Sequence, residues 1–233
     1  MNAVITGASR GIGKAVARIF AQHGYDLYLC SKNEARLLQA IEELKTEFPS
    51  ITVDGKASDI GKKQQAQLFG QWVLNQVDDV DVLVNNAGSF IQGNISDEPD
   101  GALESMMDLN LFSAYHLTRV LLPRMMAHRS GHIFSLCSIA SLGAYPNGGA
   151  YSISKFALLG FSKNLRRELQ PYGIKVTAVI PGAVYTDSWK GSGVSKDRIM
   201  EEEDIAKMIY AASRLSPQAV VEEIILRPQL GDL

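Results

Sequence analysis

TGASRGIGKAV (6–16) is the stretch from which the fold of this 233-residue chain follows most directly. It comes after the apolar run NAVIT (2–6) and leads into a segment with helical periodicity, which predicts a turn between a first strand and a first helix. Gly7, Gly11 and Gly13 allow backbone amides to approach an anion without an intervening Cβ, and the helix N-terminus carries a positive partial charge. In this strand–turn–helix context the three glycines predict a diphosphate-binding turn.

Strand-like and helical runs alternate along the rest of the chain. We expect strands at 2–6, 26–30, 51–57, 81–88, 131–138, 173–182 and 220–228. We expect helices at 11–23, 34–48, 62–77, 101–128, 151–170 and 203–214, with a break near Pro123. This alternation predicts an α/β fold, a Rossmann-type doubly wound parallel sheet of about seven strands with helices on both faces.

The sequence contains no obvious linker, so we expect residues 1–233 to form a single dinucleotide-binding domain. The least regular stretch is 183–202, which contains Gly191, Ser192 and Gly193. Irregular, glycine-containing loops beside a ligand site are often mobile. We therefore expect residues 183–202 to form a substrate flap.

Composition excludes several classes of function. The net charge of −2 argues against nucleic acid as a partner, because phosphate binding needs a basic footprint. No apolar run approaches the roughly 20 residues that span a bilayer, and no signal peptide precedes the first strand, so we expect a cytoplasmic protein without membrane contact. Cys30 and Cys137 predict buried thiols in a reducing compartment. The four histidines show no metal-ligand spacing, so no metal site is expected.

A second informative segment is GGAYSISKFALLGF (148–161), which places Tyr151 and Lys155 four residues apart. Residues at this spacing lie on one face of a helix. A free tyrosine keeps its proton at neutral pH, but a nearby cation favours the phenolate, so the two residues can act as a proton-transfer pair. The alternative is that Tyr151 packs in the core and Lys155 extends to solvent.

Further motifs favour the proton-transfer pair, because they occur in a fixed order. Besides TGASRGIG (6–13) these are SDI (58–60), NNAG (85–88), LNLFSAY (109–115), Ser138 thirteen residues before Tyr151, YSISK (151–155) and PGAVYT (181–186). Together they resemble the short-chain dehydrogenase/reductase family over nearly the whole chain. The resemblance implies an oxidoreductase in which Tyr151 is the acid/base and Lys155 also holds the nicotinamide ribose. It further implies that Ser138 binds the substrate oxygen and that Asn110 continues a proton path through water.

The end of the second predicted strand indicates which nicotinamide cofactor is used. NAD-preferring sites place a carboxylate there for the ribose 2′-hydroxyl, whereas LCSKN (29–33) has none before Glu34. Arg10, Lys32 and Ser31 would instead suit a 2′-phosphate, so we expect NADP(H). The full set of expected cofactor-binding residues is Gly7, Ser9, Arg10, Gly11, Ile12, Gly13, Ser31, Lys32, Asp59, Ile60, Asn86, Ala87, Gly88, Tyr151, Lys155, Pro181, Gly182, Val184 and Thr186.

The substrate is expected to be a small carbonyl compound or alcohol. Candidate pocket residues are Phe90, Tyr145, Tyr185 and Trp189, which suit a flat or apolar carbonyl. PGAVYTDSW (181–189) and VVEEIILRP (220–228) resemble sepiapterin-reductase-like members of the family, which implies reduction of a pterin side-chain ketone or a small diketone. Asp187 or Asp232 would then face the amino edge of the pterin.

Two alternatives stay open from the sequence. The 3-oxoacyl-[acyl-carrier-protein] reductases share the catalytic motifs, although they usually end in a glycine pair where this chain has ILRPQLGDL (225–233). A non-catalytic NADP-binding sensor or scaffold would usually lose the Tyr/Lys pair, which is present here. The resemblance also implies a homodimer or homotetramer, assembled through the helices at 101–128 and 151–170 and the last strand.

Overall fold

The computed structural model describes residues 1–189 and 193–233. Its sheet has seven parallel strands in the order β3-β2-β1-β4-β5-β6-β7, which confirms the predicted fold class. The strands are β1 (Asn2–Thr6), β2 (Asp26–Ser31), β3 (Val53–Ala57), β4 (Val82–Asn85), β5 (His132–Leu136), β6 (Lys175–Pro181) and β7 (Glu223–Leu226). The helices are α1 (Gly11–Gln22), α2 (Glu34–Glu47), α3 (Lys63–Leu74), α4 (Ala102–Met107), α5 (Ser113–His128), α6 (Gly149–Leu169) and α7 (Glu202–Ser213).

Apolar side chains cover both faces of the sheet, as a buried parallel sheet requires. On one face, α1, α2 and α7 pack around Phe20. On the other, α3, α5 and α6 pack around Phe69. All strands run parallel, so their carboxyl ends meet at one edge. The loops that leave β1, β4, β5 and β6 therefore surround one crevice.

The expected break near Pro123 is wrong. Pro123 lies inside the continuous helix α5, and the interruption occurs earlier, in a π-helical turn over Asp108–Phe112 between α4 and α5. Proline removes one backbone donor and commonly kinks a helix without ending it. The π turn is stabilised locally, because the buried Ser113 hydroxyl donates to the carbonyl oxygen of Leu109.

The segment 183–202, predicted as a flap, is partly ordered by short contacts. Val184 and Met200 form a parallel bridge, so the two ends of the segment meet. Arg198 donates to the carbonyl oxygens of Leu230, Gly231 and Asp232, and this fastens the segment to the carboxyl-terminal residues. Residues 190–192, including Gly191 and Ser192, lie outside the described residues. The mobility of the segment stays a prediction.

Both cysteines are buried free thiols, as expected. Burial raises the pKa of Cys30 to about 12 and that of Cys137 to about 11, so neither is a thiolate at neutral pH. In the described ranges, no helix combines the length and the hydropathy that crossing a bilayer would require.

Candidate active site

The glycine turn after β1 is packed closely against the loop that follows β4. Gly7 has a φ of +66°, and a Cβ added there would lie 2.9 Å from Asn86 Nδ2. A Cβ on Gly13 would lie 2.4 Å from the carbonyl oxygen of Gly7. Larger residues at either position would therefore displace the backbone. In the described chain, the side chain of the N-cap residue Arg10 does not cap α1, so first-turn N–H groups are available to an anion.

Thr6 and Asn86 join this turn to the β4 loop. The Thr6 hydroxyl accepts hydrogen bonds from the backbone N–H groups of Asn86 and Ala87, both at 3.0 Å. The Asn86 amide donates to the carbonyl oxygens of Thr6 and Gly7 at 2.8 and 3.2 Å. Asn86, expected as a cofactor contact, thus supports the turn with its side chain. Sequence reasoning missed Thr6, although a threonine that ends a buried strand directly before the glycines was a usable signal.

The residues expected at a 2′-phosphate lie together at the ends of β1 and β2. The hydroxyl oxygens of Ser9 and Ser31 are 2.8 Å apart. Two cations lie at the same end: Arg10 pairs with Asp187 at 2.6 Å and Lys32 pairs with Asp59 at 2.9 Å. The Arg10 and Lys32 side chains are 57% and 79% exposed, so both can turn toward a ligand.

The loop after β3 contains the expected adenine contacts. The backbone N–H of Asp59 donates to the side-chain oxygen of Gln65 at 2.7 Å, which ties the loop to α3. Ile60 is buried in the core cluster that also contains Cys30. The Asp59 carboxylate is therefore the more accessible of the two expected contacts.

The loop after β6 lies beside the glycine turn. Pro181 ends β6, and the buried Val184 follows two residues after Gly182. A Cβ added to Gly11 would lie 3.5 Å from Thr186 Cγ2, so the loop after β6 lies within van der Waals distance of the glycine turn. The expected nicotinamide segment and the expected phosphate turn thus share one crevice.

Asn110 is fixed within the π-helical turn. Its side chain is 1% exposed; Oδ1 accepts from the backbone N–H of Ser89 at 2.8 Å, and Nδ2 donates to the Ser89 carbonyl at 3.1 Å. Nδ2 also donates to the Ser154 hydroxyl at 2.9 Å, and that hydroxyl donates to the Tyr151 carbonyl. Such π turns are frequent at functional sites, because they redirect one side chain out of helical register. Sequence reasoning missed Ser154, the link between Asn110 and α6.

Lys155 is buried beneath Tyr151 and close to Asn110. The residue is 5% exposed, and its ammonium donates to the Leu136 carbonyl at 2.7 Å and lies 5.7 Å from the centroid of the Tyr151 ring. A Cβ added to Gly88 would lie 3.0 Å from Asn110 Oδ1 and 3.5 Å from Lys155 Nζ. Gly88 therefore adjoins both side chains, and the structure brings Asn110, Lys155 and Tyr151 together.

Ser138 follows β5 and caps a short 3₁₀ helix (Ile139–Ser141). Its hydroxyl oxygen accepts from the backbone N–H of Ala140, while its own N–H donates to the Ser141 hydroxyl, both at 3.2 Å. Because the Ala140 contact uses a lone pair, the Ser138 hydroxyl proton can point to a ligand oxygen.

The four candidate pocket residues divide into two pairs. Phe90 meets the Tyr151 ring edge-on, with centroids 4.8 Å apart. Burial, and then the neighbouring Tyr151 phenol, raise the pKa of Tyr145 to about 12, so Tyr145 is neutral beside Tyr151. Tyr185 and Trp189 lie on the loop after β6. The Tyr185 ring centroid is 5.9 Å from Lys196 Nζ, and the backbone N–H of Trp189 donates to the Thr186 carbonyl.

A family model described as short chain dehydrogenase matches residues 1–196. This chain belongs to the short-chain dehydrogenase family. Among its relatives in that family, a sepiapterin reductase of Chlorobaculum tepidum is 34% identical, covering 99% of this chain and 97% of the relative.

Two solved structures of such enzymes resemble this short-chain dehydrogenase closely. An alcohol dehydrogenase from Thermococcus sibiricus, complexed with 5-hydroxy-NADP, is 30% identical with a TM-score of 0.89, covering 98% of this chain and 96% of that one. The L-sorbose reductase of Gluconobacter frateurii, complexed with NADPH and L-sorbose, is 27% identical with a TM-score of 0.88, covering 97% and 94%. The family resemblance found in the sequence is thus confirmed.

Proposed function

We propose that this chain is an NADPH-dependent oxidoreductase that reduces a ketone or aldehyde to an alcohol, reversibly. The observation that carries the proposal is the convergence of Tyr151, Lys155 and Asn110 around Gly88, in the crevice that also holds the glycine turn. A binding protein could use the Lys155 ammonium for the ribose, but it would have no need of a phenol above it, whereas proton transfer needs both groups. The convergence therefore favours catalysis over the sensor or scaffold alternative.

The crevice fits a phosphorylated dinucleotide. Gly7 and Gly13 leave no space for a Cβ beside the uncapped N-terminus of α1, so backbone amides are open to a diphosphate there. At the adenosine end, the hydroxyls of Ser9 and Ser31 and the cations Arg10 and Lys32 suit a 2′-phosphate. Bound 5-hydroxy-NADP and NADPH in the solved structures of two related enzymes support the same choice.

At the nicotinamide end of the crevice, side chains of the protein supply the proton for the reaction. When bound, the reduced nicotinamide supplies the hydride to the carbonyl carbon. Ser138 donates a hydrogen bond to the carbonyl oxygen, and Tyr151 gives that oxygen its proton, a contribution of about 10²–10⁴ in rate. Lys155 stabilises the resulting phenolate. In the described chain one of its three N–H groups goes to Leu136, so up to two remain for the ribose hydroxyls.

Asn110 holds this arrangement in place. Both Nδ2 protons are directed to protein oxygens, those of Ser89 and Ser154. A water-mediated proton path through Asn110 would therefore use the second lone pair of Oδ1.

We propose a small, flat or apolar carbonyl as substrate. Phe90 and Tyr145, both beside Tyr151, offer ring surfaces, and both are partly exposed. The relationship to a sepiapterin reductase supports a pterin side-chain ketone or a vicinal diketone. Both carboxylates considered for a pterin have a cationic partner, Arg10 for Asp187 and Arg227 for Asp232. A Cβ added to Gly182 would lie 3.1 Å from Asp232 Oδ1, so Asp232 also adjoins the expected nicotinamide segment and is the better candidate.

The test is NADPH oxidation, with NADH in parallel, against sepiapterin, small vicinal diketones, an acetoacetyl thioester and simple aldehydes. We expect turnover of the first two that is selective for NADPH and lost in Tyr151→Phe, which should still bind NADPH. Preference for the thioester would instead indicate a 3-oxoacyl-[acyl-carrier-protein] reductase. NADPH binding with no turnover across the panel would favour the sensor or scaffold, and unchanged turnover in Tyr151→Phe would refute the mechanism.

We also propose a homodimer or homotetramer. Partly exposed apolar side chains lie on α6 and on the π turn and α5, among them Ile153, Phe156, Phe112 and Tyr115. Several exposed large apolar side chains on neighbouring helices are what an interface between subunits would cover. Sedimentation analysis of the wild type and of Phe156→Glu would test the assignment, and a wild-type monomer would refute it.

A further inference from the structure

The loop between β4 and α4 is fastened to the first turn of α6 by Glu98. Its carboxylate oxygen Oε2 accepts a hydrogen bond from the backbone N–H of Ala150 at 3.0 Å, and the contact is partly buried. The N-cap residue of α6 is Gly148, which has no side chain that could cap the helix. A carboxylate from a distant loop therefore performs the task that an N-cap side chain usually performs, and the helix dipole favours its negative charge.

The backbone beside this contact is closely packed, with no space for a side chain at Gly149. Gly149 has a φ of +24°, and a Cβ added there would lie 2.5 Å from Glu98 Oε2 and 2.5 Å from the Gly93 carbonyl oxygen. The Gly93 N–H donates to the Asn147 carbonyl at 3.2 Å, and the Asn147 N–H donates to Asn94 Oδ1 at 3.1 Å. Among the described residues, the bond from Ala150 to Glu98 is thus one of three hydrogen bonds that join the β4–α4 loop to the start of α6.

The two joined segments both carry groups of the candidate active site. Ala150, the residue that Glu98 binds, directly precedes Tyr151. Phe90, on the same loop as Glu98, lies edge-on against the Tyr151 ring. Through the Ala150 N–H, Glu98 therefore fixes the position of the Phe90 ring relative to the Tyr151 phenol.

From this arrangement we infer that Glu98 is a positioning residue for the reaction. It holds Tyr151 and the loop carrying Phe90 in a fixed position relative to each other. The inference rests on the function proposed above. Glu98 acts through the Ala150 N–H, and misplacement of an acid/base group lowers the rate of the chemical step more than it weakens ground-state binding. Its loss should therefore appear mainly in kcat.

Three variants separate positioning from general stability. Glu98→Ala should lower kcat about tenfold with NADPH affinity unchanged, because the first turn of α6 loses its acceptor. Glu98→Gln keeps a side-chain oxygen and should recover most of the loss. Glu104→Ala removes an exposed glutamate from α4 and should match the wild type. A Glu98→Ala variant that raises only KM, or a Glu98→Gln variant as impaired as Glu98→Ala, would overturn the positioning role.

Hydrogen–deuterium exchange provides a readout that does not depend on turnover. In Glu98→Ala, amides of residues 89–98 and 149–152 should exchange faster, while the core strands stay protected. Unchanged exchange in both segments would overturn the inference whatever the activity. Faster exchange together with a wild type that is inactive on the whole panel would refute the proposed function alone. If Glu98→Ala does not fold, Glu98→Asp, one methylene shorter, should give the same pattern in milder form.

Discussion

The two ends of the crevice hold their side chains in different ways. At the end with Tyr151, the polar side chains Asn110 and Lys155 are almost fully buried, and their hydrogen bonds end on backbone or buried oxygens. At the adenosine end, Arg10 and Lys32 are largely exposed and pair with single carboxylates. Buried pairs are expensive to disturb, whereas exposed pairs contribute about 0–1 kcal/mol and exchange easily. The end with Tyr151 therefore holds its polar groups in a fixed geometry. At the adenosine end, the two cations can exchange their carboxylate partners for a charged ligand.

The largest effect should come from the buried end. We expect Lys155→Met to lower turnover by about 10²–10⁴, because the phenolate loses its cation, and to weaken NADPH binding about tenfold through the ribose. Steady-state kinetics and fluorescence titration of NADPH measure both. Lys163→Met, an exposed lysine two turns further along α6 that pairs with Glu223, is the matched control. Unchanged affinity in Lys155→Met would remove the ribose role.

The exposed end should show a smaller effect that is specific to the cofactor. We expect Arg10→Ala to raise the KM for NADPH about tenfold and to leave that for NADH nearly unchanged, because a charge-assisted bond to phosphate is lost. Arg18→Ala, on the helix that Arg10 precedes and paired with Glu47, controls for loss of an exposed ion pair. An equal change in the KM for NADPH and in the KM for NADH would show that Arg10 does not bind the 2′-phosphate.

Thr6 lies where the two ends meet, and its loss should affect stability. Thr6→Val keeps the shape but removes the acceptor of the Ala87 N–H and one of the two acceptors of the Asn86 N–H, which keeps the Val84 carbonyl. The expected cost is about 1–3 kcal/mol in the free energy of unfolding. Chemical denaturation measures this change. Thr46→Val, whose hydroxyl donates to the Glu42 carbonyl on an exposed helix face, should change it by less than about 0.5 kcal/mol. Equal losses in the two variants would contradict the role given to Thr6.

The smallest effect should follow from removing a competitor of the cofactor. Asp187 pairs with Arg10, so Asp187→Asn should lower the KM for NADPH by about two- to fivefold, the range expected for an exposed ion pair. Asp197→Asn, also exposed and on the same segment, should have no such effect. A higher KM for NADPH in Asp187→Asn would show that Asp187 helps to hold Arg10 in its binding position.

The fold and the family were predictable from the sequence, because hydrophobic periodicity and the ordered motifs around Gly11 and Tyr151 are local signals. The supporting contacts were not predictable. Thr6 and Asn86 meet across two adjacent strands, and Ser154 reaches Asn110 from another helix, so each contact depends on packing between distant segments. The break placed at Pro123 failed for a related reason. A proline is visible in the sequence, whereas the π turn at Asp108–Phe112 combines the local Ser113–Leu109 bond with the bonds that Asn110 makes to the distant Ser89 and Ser154.

The strand order implies that the two ends of the crevice mature at different times during translation. β1 lies between β2 and β4, so the glycine turn receives its support from Asn86 once β4 has left the ribosome. The proton-transfer end needs β5, whose Leu136 carbonyl binds Lys155, and it needs α6, which is synthesised later still. The chain leaves the ribosome from its amino terminus at about 5–20 residues per second. The segments that form the anion-binding turn are therefore all available on the nascent chain before those that move a proton.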